Sequence, residues 1–239
     1  MAKRPEFNNG GFYHVYNRGV DRRDVFLDSG DHVRFVHDLF ALNDAGIHRH
    51  ENRHFQQHHN GEGETFTIRE RKREVLVDIV AWALMPNHYH LLLRQREDAG
   101  VSRFMQKLGT GYTMYFNERY ERSGVLFQGL YKVKPVEEES YLRYLVSYLH
   151  MNPVALFDRG WKEARQCRDP QGMLEKLRTY RWSSYQDYLG EQNFPSLVRW
   201  ELVDELALRR GEQQEREVSE WLTAYQRREY KLGPLLLDA

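Results

Sequence analysis

The longest apolar stretch of the chain runs Val75-Leu76-Val77-Asp78-Ile79-Val80-Ala81-Trp82-Ala83-Leu84-Met85-Pro86. After Asn87-His88-Tyr89-His90 it resumes as Leu91-Leu92-Leu93. β-Branched and aromatic residues fill it, so the pattern predicts a strand, a turn at Met85-Pro86-Asn87 and a second strand, a hairpin over 75–96. Phe12 to Arg18 alternates apolar and polar positions and stops at Gly19, which predicts a first strand; Tyr131 to Val136 alternates likewise. Elsewhere the apolar period lengthens. Val33, Phe35, Val36, Leu39, Phe40 and Leu42 predict a helix over 31–43, and Phe104, Met105, Leu108, Tyr112, Tyr115 and Phe116 another over 101–119. A third helix is expected over 137–151. It opens on Glu137, Glu138 and Glu139, which suit the positive end of a helix dipole, and Pro153 stops it at Asn152.

The fold class expected is therefore α+β: a small antiparallel sheet with helices packed on it. Beyond Pro153 the pattern turns irregular, punctuated by Pro170 and Gly172. Arg181-Trp182-Ser183-Ser184-Tyr185 opens a short helix. Residues 199–230 read as two charged helices parted near Gly211. This places one domain at 1–190 and a C-terminal helical appendage, 191–239, packed on it. Residues 44–63 hold His48, His50, His54, His58 and His59 among Asn, Gln, Gly and Glu. No metal-site spacing appears there, and a long solvated loop explains the composition.

Charge refines this picture only slightly. With 35 basic and 35 acidic residues the chain is neutral overall, so bulk charge announces no nucleic-acid partner. Residues 191–239 hold 7 Lys/Arg and 10 Asp/Glu, against 28 and 25 in 1–190. The front is mildly basic and the tail acidic, a weak pointer to an anionic ligand on the front. Cys167 is the single cysteine, which excludes an intrachain disulfide and fits a reducing compartment. The first residues lack a signal-peptide core, and no apolar run reaches membrane-span length. A cytoplasmic protein with no membrane contact is expected.

Strand side chains alternate between faces, so His88 and His90 point the same way, as half of a metal site. Tyr141, Tyr144, Tyr148 and Asn152 follow helical spacing on the third helix. The carbonyl oxygen of Asn152, at the helix C-terminus, is a reasonable hard ligand for a divalent cation. Taken singly, each feature has a plainer reading. Buried strand histidines are often only hydrogen-bonded, a tyrosine stripe is often core packing, and an Asn before Pro is often a helix stop.

Taken together, these segments resemble the single-tyrosine transposases of the His-hydrophobic-His (HUH) superfamily, in particular the branch associated with repetitive extragenic palindromes (REP). The resemblance is carried by Tyr13-His14-Val15-Tyr16-Asn17-Arg18-Gly19, Leu84-Met85-Pro86-Asn87-His88-Tyr89-His90-Leu91-Leu92, Leu126-Phe127-Gln128-Gly129, Tyr148-Leu149-His150-Met151-Asn152-Pro153-Val154 and Trp182-Ser183-Ser184-Tyr185, in that order. It implies the HUH palm fold, His88, His90 and Asn152 as metal ligands, and Mg²⁺ or Mn²⁺ as the ion. It implies Tyr148 as nucleophile, with Tyr144 one turn earlier as its rival. The implied reaction is metal-dependent endonuclease and strand-transferase chemistry on single-stranded hairpin DNA through a 5′-phosphotyrosine. A binding protein that recognises such hairpins without mobilising them is the alternative. Relatives include dimers and monomers, so either a monomer or a homodimer is implied. The chain departs from the family pattern at Leu130, after Phe-Gln-Gly, and at Ala155-Leu156-Phe157, after Asn-Pro-Val.

Candidate DNA contacts are Arg18, Arg22 and Arg23 after the first strand, Arg103 and Lys107 on the second helix, and Lys132 and Lys134 on the last strand. Tyr112, Tyr115 and Tyr131 are candidate stacking platforms. An acidic tail that covers the site is a further expectation.

Overall fold

The computed structural model describes residues 5–46, 73–161 and 167–228, together with the strand segments 57–60 and 63–66. Its strands are β1 Phe12–Arg18, β2 Gln57–Asn60, β3 Gly63–Phe66, β4 Val77–Met85, β5 His88–Gln95 and β6 Lys132–Val136. Its helices are α1 Ser29–Ala41, α2 Gly100–Arg119, α3 Glu139–Met151, α4 Val154–Phe157, α5 Pro170–Thr179, α6 Tyr185–Tyr188, α7 Trp200–Glu205 and α8 Glu212–Arg228. The main sheet runs β4-β5-β1-β6 with every neighbouring pair antiparallel. The α+β architecture expected from the pattern is the one observed.

The register explains why β4 is buried along its whole length and β5 nearly so. Odd-numbered residues of β5 face α1 and α2. Tyr89 lies 5.0 Å from Phe35 on α1, and Phe35 meets Tyr112 on α2 edge-on at 4.9 Å. Even-numbered residues face the other way, toward α3. A sheet covered on both sides needs apolar strands without polar alternation, which is how 75–93 reads. Trp82, fully buried, anchors the larger core. A second cluster, with Met151, Trp161, Leu177 and Trp221, joins α3, α5 and α8.

The outer edge of β4 is covered by the chain that follows α5. The Leu84 amide donates to Trp182 O at 2.8 Å, and the Ser184 amide donates to Trp82 O at 3.0 Å. The Tyr180 and Tyr188 hydroxyls donate to the carbonyls of Leu84 and Val80. Trp182-Ser183-Ser184-Tyr185 therefore works as an edge seal. Lys132, Lys134 and Pro135 blunt the opposite edge, β6, against pairing with another chain.

Two regions differ from the pattern-based expectation. The stretch after Pro153 is largely helical. Pro170 sits in the first turn of α5, and the Asp169 carboxylate accepts the Gly172 amide at 3.0 Å. The two residues taken as breaks are a helix start, because Pro is tolerated where the amide has no helical partner. Within 44–63, His58 and His59 lie on β2, paired with β3. His48, His50 and His54 lie outside the described residues.

His150 ties the sheet seal to the C-terminal helix. It is fully buried; Gln214 donates to its Nδ1 at 3.1 Å, and its Nε2 lies 2.9 Å from Ser184 Oγ. That network suits a neutral ring, and burial lowers its pKa to about 3. The unfolded chain therefore takes up the proton near pH 6.5 while the folded chain does not. Stability is fully present above pH 6.5 and falls as pH drops from there toward 3, by up to about 1.4 kcal/mol per pH unit for this group. Urea denaturation across pH 4–7 is expected to show a shallower pH slope for His150→Gln than for the parent chain.

Candidate active site

His88 and His90 open β5 just past the Pro86-Asn87 turn. Their ring centroids are 5.0 Å apart, with the planes nearly perpendicular. His88 Nδ1 lies 2.6 Å from Asn87 Oδ1, and the Asn87 amide nitrogen donates to Arg22 O at 3.2 Å. The second bond fixes which end of the amide is oxygen, so His88 Nδ1 is the donor and Nε2 carries the lone pair. Arg22 and Asp21 both sit in the left-handed region, at φ 59° and 56°. Such conformations cost on the order of 1–3 kcal/mol each and persist only when held by surrounding structure. Gly19 sits beside this turn because a Cβ there would lie 2.2 Å from Arg23 O.

His90 is almost fully buried, stacked on His14 at 5.1 Å and on Tyr16 at 5.7 Å. Its Nδ1 lies 2.9 Å from His14 Nε2. His14 has no exposed surface; burial, aided by the Lys134 charge, lowers its pKa to about 3. Burial also raises Tyr16 and Tyr141 above the ordinary phenol range.

From α3, the Tyr148 ring stands edge-on to His90, with centroids 6.3 Å apart at 84°. Tyr148 is 5% exposed. Tyr144 stacks on Tyr148 at 6.0 Å and meets Trp221 of α8 at 4.8 Å. Asn152 caps the C-terminus of α3 in a buried position, and its amide nitrogen donates to Tyr148 O at 3.3 Å, leaving the oxygen as the acceptor. Imidazole nitrogen and amide oxygen are donor types that a divalent cation accepts; the α3 side chain seen against the strand histidines is that of Tyr148. Among the described residues no group of three His, Cys, Asp or Glu side chains could hold a metal ion.

The expected DNA contacts divide between the two sides of the sheet. Lys132 pairs in register with Tyr16, Lys134 with His14, and Arg18 with His88. All three share the sheet face of His88 and His90. Lys132 lies over the Tyr16 ring at 5.8 Å, and Arg18 Nε donates to Gln128 at 3.0 Å. Arg22 and Arg23 are exposed at the end of β1. Arg103 and Lys107 lie on α2, across the sheet from the histidines; Arg103 pairs with Glu97, and the Lys107 ammonium donates to Asp44 O at 2.6 Å. The aromatic platforms fare less well. Tyr112 is fully buried, with its hydroxyl on Val25 O, and Tyr115 is held by Asp31 and Arg119. Tyr131 reaches toward Ser102 of α2, away from the histidines.

Comparison with known proteins follows the same segments. Residues 48–152 match the family described as transposase IS200 like. That segment holds His88, His90, Tyr148 and Asn152 and leaves out β1, which supplies His14. A solved structure of a REP-associated tyrosine transposase bound to a REP hairpin aligns over 82% of this chain and 90% of its own, with a TM-score of 0.50 and 14% identity; the fold is shared. A second, from Deinococcus radiodurans R1 and named only provisionally as a transposase, covers 61% of this chain and 93% of its own, at 16% identity and a TM-score of 0.35. No curated protein matches. No helix among the described residues is long and apolar enough to cross a membrane.

The placement of Lys107 in this fold leads to a stability expectation. Its ammonium, partly buried against the Asp44 carbonyl, makes a charge-assisted hydrogen bond between α2 and the chain after α1. Lys107→Met is expected to lower the unfolding free energy in urea by about 1 kcal/mol.

Proposed function

We propose that the protein is a metal-dependent single-strand DNA endonuclease and strand transferase that acts on hairpin DNA of the REP type. Tyr148 is the nucleophile in this reading, and His88, His90 and Asn152 hold a Mg²⁺ or Mn²⁺ ion. The observation that carries it is the edge-on approach of Tyr148, from α3, to His90 on β5. Two strand histidines face a tyrosine whose own helix ends, four residues later, on a buried asparagine.

Tyrosine phenols, with a pKa of about 10, are mostly protonated at neutral pH and attack poorly until activated and aligned. A bound divalent ion supplies charge neutralisation for the non-bridging phosphate oxygens. The chain's own residues do the rest. Asn87 orients His88. Asn152, hydrogen-bonded to the Tyr148 carbonyl, ties the helix end to the nucleophile's turn. Stacking from Tyr144 limits the freedom of the Tyr148 ring, and such alignment is worth several kcal/mol in a displacement reaction. In the displacement the Tyr148 oxygen bonds to phosphorus, the phosphorus–O3′ bond breaks, and the 3′ oxygen leaves as a hydroxyl after gaining the proton that the phenol gives up. Attack by another 3′-hydroxyl reverses the sequence, restores Tyr148 and joins strands.

Lys132, Lys134 and Arg18 on the same face, with Arg22 and Arg23 at its end, supply positive charge for the strand backbone. The near-complete burial of Tyr148 favours a second reading, a hairpin-binding protein without turnover. One experiment separates the two. A labelled single-stranded palindrome from beside the gene is incubated with Mn²⁺ or Mg²⁺ and run on a denaturing protein gel. A metal-dependent covalent adduct is expected, and Tyr148→Phe is expected to abolish it. An adduct that persists in Tyr148→Phe moves the nucleophile to Tyr144. Hairpin binding without any adduct supports the second reading. For the basic face, Lys132→Ala is expected to weaken binding of hairpins of any sequence and to reduce the slope of log K against log salt by about 0.7.

A further inference from the structure

The Asn87 bond gives His88 one ring tautomer; His90 meets instead a second histidine, His14, outside the matched family segment. His90 Nδ1 and His14 Nε2 are 2.9 Å apart, both buried, with rings stacked at 5.1 Å and 22°. One proton lies between them. If His90 donates it, His90 Nε2 is a bare lone pair and the ring can ligate a cation. If His14 donates it, His90 carries its remaining proton on Nε2 and cannot. His14 Nδ1 is buried without a hydrogen-bond partner. A buried polar atom left unsatisfied costs on the order of 1–3 kcal/mol, so packing alone gives no reason for an imidazole here. A phenyl ring would fill the same space without that penalty.

We propose that His14 is a positioning residue for the metal site. Its Nε2 accepts the proton on His90 Nδ1, which fixes the ring and presents Nε2 as a ligand on the face where Tyr148 stands. Asn87 does the same for His88, so each strand histidine has its own acceptor. The register explains how β1 supplies one of them. Tyr16 is the residue opposite His90, and His14, two positions along on the same face, reaches the ring diagonally. This inference rests on the metal site proposed above and adds to it the residue that orients His90. Partners of this kind typically change metal affinity by about 10–100-fold when removed.

The test compares Mn²⁺ binding, by electron paramagnetic resonance titration of the purified full chain, in the parent protein, His14→Phe and His14→Gln. Thermal unfolding of each variant checks the fold. His14→Phe is expected to keep the fold and bind Mn²⁺ at least tenfold more weakly. His14→Gln restores an acceptor oxygen near the position of Nε2 and is expected to recover most of the affinity, which a purely space-filling role does not predict. A correlation spectrum of the imidazole ¹⁵N nuclei in the Mg²⁺-loaded parent is expected to show His90 protonated at Nδ1. A folded His14→Phe with Mn²⁺ affinity within twofold of the parent overturns the proposal, as does a His90 proton found on Nε2 with the ion bound. A parent chain that binds no Mn²⁺ overturns the underlying metal site instead. If His14→Phe does not fold, the spectrum of the parent alone decides.

Discussion

The structure depends on the alternation of side chains along β5. The strand is covered on both faces, and each face asks for different chemistry. Tyr89, Leu91 and Leu93 pack toward α1 and α2, while His88 and His90 face α3. Because the side-chain period is two, a slip of one residue would bury the imidazoles against Phe35 and turn Tyr89 toward α3. The pairing of β5 with β1 on one side and β4 on the other prevents that slip. So does the short Pro86-Asn87 turn, whose asparagine also holds His88. One register therefore specifies the core and the site together.

The helix opposite that face has two dependencies. Its sheet-facing side carries Tyr148 against His90. The helix is also held by α8, through Gln214 on Ser147 and His150 and through Trp221 against Tyr144, the ring stacked on Tyr148. His150 in turn meets Ser184, whose hydroxyl accepts the Trp82 amide at the sealed edge of β4. A continuous hydrogen-bonded route thus joins the last described helix, the edge of the sheet and the helix of the candidate nucleophile. The C-terminal segment is part of what sets the position of Tyr148.

Charge is distributed by the same register. The chain is neutral overall, yet Arg18, Lys132 and Lys134 fall on the face of the histidines because β1 and β6 pair there in step. Lys134 is partly buried beside His14, and burial lowers its pKa. His14 and Tyr16, tilted to each other, both stack on His90 and form an aromatic floor at the centre of this face, with basic residues at its rim. Local placement, not bulk composition, makes this side suited to an anionic ligand.

The apolar run 75–93 and the strand-like alternation at 12–18 determined by themselves that these segments pair as strands. The spacing in 101–119 and 137–151 determined two long helices, since local periodicity and end signals are written in neighbouring residues. The same locality made His88 and His90 legible as side-chain neighbours, and Tyr148 and Asn152 as residues one helical turn apart. Pro170 and Gly172 misled because a helix start and a break use the same residues, and the Asp169 carboxylate that decides between them acts through a contact. Tyr112 looked available for stacking because its sequence neighbours do not reveal that its hydroxyl ends on Val25 O. His14 gave no signal as a partner of His90, because their contact spans 76 positions and is diagonal across two paired strands. Which residue orients which, and which charges gather around the histidines, were decided only by the tertiary register: those contacts join strands far apart in the chain, and their geometry exists only once the sheet has closed.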